Sequence, residues 1–363
     1  MVGARKRIGV TLAAAAGLLA MSACGGGTGA GDAPPVDQDL VLGDETVATA
    51  AMRQQCEQEG SQLHIYTPAP PEQYQLFTDR FREETGISVT ATRLTTSEVY
   101  TRAEAEAAGG RLEADILSIG DPTLRDGLVD KGIIEPFETP LSDTLETASA
   151  DRSEYSAPTR VSSQVIVWNT ERVADADAPK SYADLLDPKW KGQFGMTAIQ
   201  TGLSSITVAR SIEEGLGADR VEAFAQQQPK IYVSVVPLTQ AVIRGEVPVA
   251  ITDLGLAEEY IADGNPIKWS GIAEGTPTFA FSESISATSQ RKGCALVYIG
   301  YLSSLEGQQR YFEITNSLGT RMLDDLPESR QAIGEIYEVD PAWLKDNRQS
   351  FVDSWDAMIK RHQ

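Results

Sequence analysis

Histidine is nearly absent from this chain: His64 and His362 are the 2 among 363 residues. A Ser-His-Asp arrangement would have only His64 to work with, because His362 lies beside the C-terminus, and a lone histidine inside a strand pattern packs or pairs locally. Cysteine is almost as scarce, at 3. No Cys and His cluster has zinc spacing and no EF-hand loop occurs, so neither a metal site nor a cofactor is expected. Basic residues are in deficit, 31 against 52 acidic, giving a net charge of −21. That balance opposes the counterion release on which nucleic-acid affinity depends, and nucleic acid is not expected as a partner. Nothing among the acids singles out a glycosidase-type carboxylate pair. Outside residues 8–23, no apolar run approaches the roughly 18 residues that cross a bilayer as a helix. Short-period repeats are missing too, which excludes a solenoid.

What is present is ordinary globular composition, 41% hydrophobic and 23% charged, with 31 Gly and 18 Pro. A length of 363 exceeds what one compact core usually fills, so two domains or lobes are expected. Arg5, Lys6 and Arg7 precede the Ala- and Leu-rich run at 8–23, and the pattern reads as a signal peptide over residues 1–23. The run ends LLAMSAC at 18–24, which resembles the lipobox of bacterial lipoproteins, with Met21 where Leu is usual. Cys24 is therefore expected to carry a lipid and become the first residue. Cleavage there would leave 28 basic residues against the same 52 acids. Residues 24–44, rich in Gly, Pro and Asp, read as a flexible lipoprotein tether. Their glycines fit neither GxGxxG nor GxxxxGK[ST]. In an exported, oxidising setting Cys56 and Cys294 could pair or stay as two separate buried thiols, and the residues leave both open.

From residue 61 the chain alternates short strands and helices. Leu63 and Ile65 alternate with His64 and Tyr66; Pro70 and Pro71 open a helix with Tyr74, Phe77 and Phe81 on one face; Gly86 ends it. A strand around Ile87, Val89 and Ala91, a helix over 97–108 and a strand over 115–119 follow. Strands separated by a full helix run parallel, so this half is α/β. A Pro-, Ser- and Thr-rich connection at 136–160 precedes a long strand at 161–168 and a second α/β series, with strands at 194–198, 231–236 and 247–252 and helices at 206–214, 221–226 and 240–244. From Arg291 onward the pattern is mostly helical.

In open parallel sheets ligands bind beyond the carboxyl ends of strands, where helix N-termini point their free N–H groups. Those places carry Thr67 and Pro68, Thr95, Thr96 and Ser97, Asp121 after Gly120, Gln200, Thr201, Gly202 and Ser204, and Asp253. Each of Ser97, Asp121 and Asp253 also reads as a helix N-cap worth about 1 kcal/mol. Recurrence of short polar side chains at these ends in both halves points to a polar cleft.

Five segments resemble, in content and order, the extracellular solute-binding proteins of bacterial ABC importers: TGI at 85–87, ADI at 114–116 with Gly120 and Asp121, VIVWNT at 165–170, APKSYADLLDPKWKG at 178–192, and GEVPVA at 245–250. The group containing ferric-iron, thiamine and aminophosphonate binders is the most similar. The resemblance spans about residues 61–320, and 178–192 is its most specific part. It implies an α/β, two-lobed periplasmic-binding-protein (type II) architecture with mixed, mostly parallel sheets. Lobe 1 would comprise 45–160 and 276–363, lobe 2 would comprise 161–275, and two crossovers near 158–163 and 273–282 would form a hinge with Ser162 and Ser163 at its edge. A Cys56–Cys294 bridge would then join the N- and C-terminal parts of one lobe. The implied protein is not an enzyme; it is a lipid-anchored monomer on the extracytoplasmic face of the cell membrane that delivers a small polar solute to an ABC permease. Ferric members carry two adjacent tyrosines where this chain has Asp253 and Leu254, which favours an amine, phosphonate or phosphate-bearing solute over iron. A ferric-iron transport protein, an extracellular hydrolase and a sensory lipoprotein are the alternatives.

Overall fold

The computed structural model describes residues 34–144, 154–323 and 326–363. Cys24 and the expected signal peptide lie outside the described residues. Of the stretch expected as a tether, 24–44, residues from 34 on are described, and they include a strand. Leu40–Leu42 (β1) and Glu45–Ala48 (β2) form an antiparallel hairpin turned at Gly43, with Leu40 and Leu42 buried and Val41 outside. Three residues of alternation are too short a signal to show through the Gly- and Pro-rich stretch before them. In the helix that follows, Ala50–Gln58 (α1), the buried Arg53 guanidinium donates to the carbonyls of Pro34, Pro35 and Gln38. Cys56 of α1 is joined to Cys294 by a disulfide.

The first lobe follows the expected order: Gln62–Thr67 (β3), Pro71–Thr85 (α2), Ser88–Arg93 (β4), Thr96–Ala108 (α3), Ile116–Ile119 (β5), Pro122–Asp130 (α4) and Ile134–Glu135 (β6). Pro71 sits in the first turn of α2, where its missing N–H costs no hydrogen bond, and Gly86 ends the helix at φ 79°, a conformation that disfavours residues with a Cβ. Tyr74, Phe77 and Phe81 lie on the buried face of α2.

Ala157–Asn169 (β7) is buried along all of its 13 residues. The second lobe then runs Phe194–Thr197 (β8), Leu203–Leu216 (α5), Ala218–Gln226 (α6), Lys230–Tyr232 (β9), Val235–Ile243 (α7), Val249–Asp253 (β10), Leu254–Ala262 (α8) and Ile267–Ser270 (β11). The strand expected over 231–236 stops at Tyr232, and Val235 and Val236 open α7. The β-branched run favours a strand locally, but as a helix the segment buries Leu238 and Val242 in the core under β10. Thr276–Ser286 (β12) is a second fully buried long strand, followed by Lys292–Ser303 (α9), Leu305–Thr315 (α10), Ile336–Tyr337 (β13) and Pro341–His362 (α11).

One 11-stranded sheet runs β4-β3-β5-β12-β7-β10-β8-β9, with β6 and β13 on β12 and β11 on β7. Its wings are parallel, β4-β3-β5 at one end and β10-β8-β9 at the other. The centre is antiparallel: β12 pairs with β5 on one side and with the first half of β7 on the other, while the second half of β7 pairs with β10 and β11. The two crossovers between lobes are thus the two long strands themselves.

The first lobe packs Leu63, Ile65, Phe77 and Phe81 against Tyr298 and Tyr301 of α9, whose rings meet Phe81 edge to face. Of the C-terminal segment expected in that lobe, α9 and α10 belong there. Helix α11 does not: Leu344, Phe351, Trp355, Met358 and Ile359 pack with Trp168, Phe194 and Phe224 of the second lobe. An apolar helical stripe shows that it must be covered and not by which neighbour. No helix among the described residues is long and apolar enough to cross a membrane.

Candidate functional site

Helices α3, α5, α7 and α8 all begin around one cavity of ≈ 90 Å³ between the wings of the sheet, a space for a small molecule and not for a polymer. Their starts differ. Thr95 caps α3 in a reciprocal box, its backbone N–H donating to Glu98 Oε2 at 2.7 Å while its hydroxyl accepts from the Glu98 N–H. Asp253 caps α8, accepting from the Leu256 N–H at 2.9 Å. Helices α5 and α7 begin without a side-chain cap, at Gly202 and Ser234. A helix start left this way presents unpaired N–H groups and the positive end of the helix dipole. Gly202 stands at φ 151°, and a Cβ there would come within 3.4 Å of Thr96 Cβ on the other lobe. Glycine fits both constraints.

The floor comes from β7 and β12. Arg160, Ser162 and Gln164 occupy alternate positions of β7 and all line the cavity, as the period of a strand requires. Gln164 Nε2 donates to Ser162 Oγ at 2.9 Å, and Ser162 Oγ donates to Asp253 Oδ2 at 2.6 Å. Enclosure pushes the Asp253 carboxyl above the usual range, against the pull of the Ser162 and Leu256 hydrogen bonds and of the nearby Arg160 charge. The Arg160 guanidinium lies 3.9 Å from the centroid of the Phe281 ring and donates through Nη2 to Ser118 Oγ at 3.2 Å and Thr67 Oγ1 at 3.4 Å. Among the described residues no carboxylate forms an ion pair with it. Phe279 and Phe281 meet edge to face and complete the apolar wall, resting on Gly120, where a Cβ would stand 2.9 Å from the Phe279 ring.

Of the residues expected at a cleft, Pro68, Thr95, Thr96, Ser162, Thr201, Gly202, Ser204 and Asp253 line this cavity together. Four do not. Thr67 is buried beneath it, its hydroxyl accepting from the Ala69 N–H and from Arg160. Ser163 faces the opposite side of β7 and bonds Thr278 Oγ1 of β12 at 3.0 Å. Gln200 stands at the rim, its carbonyl accepting from Ser97 Oγ at 3.2 Å, and Ser97 is one residue inside α3 and not its cap. Asp121 caps α4 through the N–H groups of Thr123 and Leu124, and its other oxygen accepts from Arg348 Nε of α11 at 2.6 Å. Its carboxylate is consumed by structure. Arg160, Gln164, Phe279 and Phe281 escape sequence reading because they lie inside strands buried on both faces, where no alternation marks which side chains point to a ligand.

The lobes touch across the rim at Ser97 and Gln200 and at Asp121 and Arg348. This is a closed arrangement. Among the described residues no group of three His, Cys, Asp or Glu side chains is placed to hold a metal. The cavity lining offers one carboxylate and neither tyrosine nor histidine. His64 bonds Thr92 Oγ1 at 2.8 Å, away from the cavity.

The fold is shared with solved binding proteins. Iron-bound HitA from Pseudomonas aeruginosa superposes with a TM-score of 0.64 at 19% identity, covering 81% of this chain and 99% of that one. AfuA from Actinobacillus pleuropneumoniae, solved with fructose-6-phosphate, gives 0.65 at 19%, covering 82% and 98%. A periplasmic thiamin-binding protein gives 0.67 at 13%, covering 82% and 96%. Similarity at this level establishes the two-lobed, type II periplasmic-binding-protein fold. The family model for bacterial extracellular solute-binding proteins matches residues 77–322, about two thirds of the sequence. The chain belongs to the bacterial extracellular solute-binding protein family.

Proposed function

We propose that this protein is the extracytoplasmic capture component of an ABC importer, held at the membrane by a lipid on Cys24, and that it works as a monomer. Its solute is a small organic molecule with an anionic group, a phosphate, phosphonate or carboxylate, and an amine or hydroxyl that donates to Asp253. One observation carries the choice of an anion. The uncapped starts of α5 and α7 and the Arg160 guanidinium, which has no carboxylate partner among the described residues, surround the same small cavity. Phe279 and Phe281 supply an apolar wall for a carbon skeleton, and Asp253 supplies the opposite charge, so a zwitterion satisfies every part of the lining.

Iron is not adopted although HitA is named as iron-bound, because hard-oxygen chelation of Fe(III) needs several anionic donors and this lining holds one. A hydrolase is not adopted because no histidine lies at the cavity to activate a nucleophile. A thermal-shift screen against amines, phosphonates, sugar phosphates, carboxylates and vitamins, followed by calorimetry, tests the reading. At about 100 times its dissociation constant a true solute stabilises the closed form by about 2.7 kcal/mol. Binding confined to uncharged or cationic compounds, or a tyrosinate-to-iron absorption band on adding ferric citrate, would overturn it.

A further inference from the structure

Behind the cavity, and not lining it, lies Glu283 of β12, fully buried. One of its oxygens, Oε1, accepts from Ser118 Oγ at 3.0 Å and from Thr159 Oγ1 at 3.4 Å. The other, Oε2, is buried without a hydrogen-bond partner among the described residues. Ser118 is shared: Arg160 Nη2 donates to the same hydroxyl that donates to Glu283. A continuous chain therefore runs from the cavity through the Arg160 guanidinium and the Ser118 hydroxyl to a buried carboxyl. The other hydrogen-bond and ring contacts of the guanidinium are the neutral Thr67 hydroxyl and the Phe281 ring.

We propose that Glu283 is the positioning residue for Arg160, and that capture of an anion on Arg160 is accompanied by uptake of one proton from water onto the Glu283 carboxylate. This rests on the reading of the cavity as an anion site. The physical reason is electrostatic. In the empty site the positive guanidinium is the counter-charge that lets a buried carboxylate stay ionised; an anionic solute neutralises that guanidinium and leaves the buried carboxylate uncompensated. Protonation relieves it and places a hydrogen on the orphaned oxygen or its neighbour.

The other titratable groups facing Glu283 are Tyr74 of α2, Tyr298 of α9 and Tyr311 of α10, and burial pushes all three phenols upward, so they stay neutral across the range of interest. Burial also holds the Glu283 carboxyl above its ordinary value, with Arg160 as the main opposing influence. Asp253 is a second carboxyl that feels the Arg160 charge, and it needs its own control. A carboxyl whose folded-state pKa is raised favours the folded protein less as pH rises from the ordinary carboxylate value through the raised one. Anion affinity falls over the next window up, between the raised value of the unliganded protein and the still higher one of the anion-bound protein, by at most tenfold per pH unit for one linked proton.

The test uses sulfate, whose charge is constant from pH 5 to 8, with wild-type protein, Glu283→Gln, Asp253→Asn and Arg160→Gln. Expected results are a wild-type melting temperature that drops relative to Glu283→Gln as pH rises, and a sulfate affinity that weakens with pH in wild type and in Asp253→Asn but is flat in Glu283→Gln. In Arg160→Gln the pH-dependent loss of stability should shift to higher pH. A sulfate affinity that is as flat with pH in wild type as in Glu283→Gln would overturn the linkage even if sulfate binds, and would leave the anion reading standing. Sulfate protection equal in wild type and Arg160→Gln, or absent from wild type at every pH, would overturn both.

Discussion

Asp121 of the first lobe and Arg348 of the C-terminal helix form an ion pair at 2.6 Å, although 227 residues separate them, and the pair ties the two lobes together on the side of the cleft where α11 crosses. Asp121 is fully buried. Because α11 packs with the second lobe and α4 with the first, this contact bridges the two lobes in the closed arrangement.

Replacing Arg348 with Gln should therefore favour the open form. Losing a charge-assisted hydrogen bond to a buried carboxylate costs about 1–3 kcal/mol, which corresponds to a roughly 5- to 150-fold weaker hold on any solute that binds the closed state. Small-angle scattering of the unliganded variant should give a larger radius of gyration than wild type. Identical scattering and identical affinity would show that the pair contributes nothing to closure.

Asp253→Ala removes both the α8 cap and the carboxylate that Ser162 bonds. The cap accounts for about 0.5–2 kcal/mol of unliganded stability, and the solute-dependent rise in melting temperature should vanish. Ser162→Ala should keep the cap and weaken binding less. A full ligand shift in Asp253→Ala would remove Asp253 from the site.

Gly120→Ala should act on the cavity without touching a polar group. The added Cβ meets both phenylalanine rings of the floor, at 2.9 Å and 3.0 Å, and overpacking of this kind costs about 1–3 kcal/mol. Phe281 carries the Arg160 guanidinium on its face, so calorimetry should record a weaker anion affinity together with a lower melting temperature. A change in stability alone, with affinity intact, would mean that the rings yield away from the cavity.

The Cys56–Cys294 bridge closes a sequence separation of 238 residues. Replacing both cysteines with serine should cost about 2–4 kcal/mol through the greater freedom of the unfolded chain. Affinity should be unchanged, because both residues lie in the core of the first lobe, away from the cavity lining. Non-reducing mass spectrometry that finds two free thiols in exported protein would contradict the bridge.

Most elements of both lobes are legible because their signals are local: Gly86 after α2, Pro71 inside its first turn, and the alternation around Leu63 and Ile65. Asp253 is legible as a helix start for the same reason, whereas α3 is capped at Thr95 and not at the expected Ser97, and α5 starts from Gly202, ahead of its expected start at 206. Long-range pairing is what sequence reading cannot supply. Asp121 reads as a cap, which it is, while its pairing with Arg348 is invisible at that distance. Arg160 passes unnoticed because β7 is buried on both faces and carries no period-2 pattern to orient it. Ser162 and Ser163 look equivalent in sequence, yet strand pleating sends one into the cavity and the other to Thr278.

The grip of Arg53 on the carbonyls of Pro34, Pro35 and Gln38 also sets a length. With a lipid on Cys24, as proposed, ten peptide steps would separate the anchor from Pro34, and a chain of that length reaches at most about 35 Å. Such a short leash leaves the body little room to roam above the bilayer. Search for a permease then becomes diffusion in a thin layer, and effective concentration at the membrane replaces docking affinity as the quantity that sets the encounter rate.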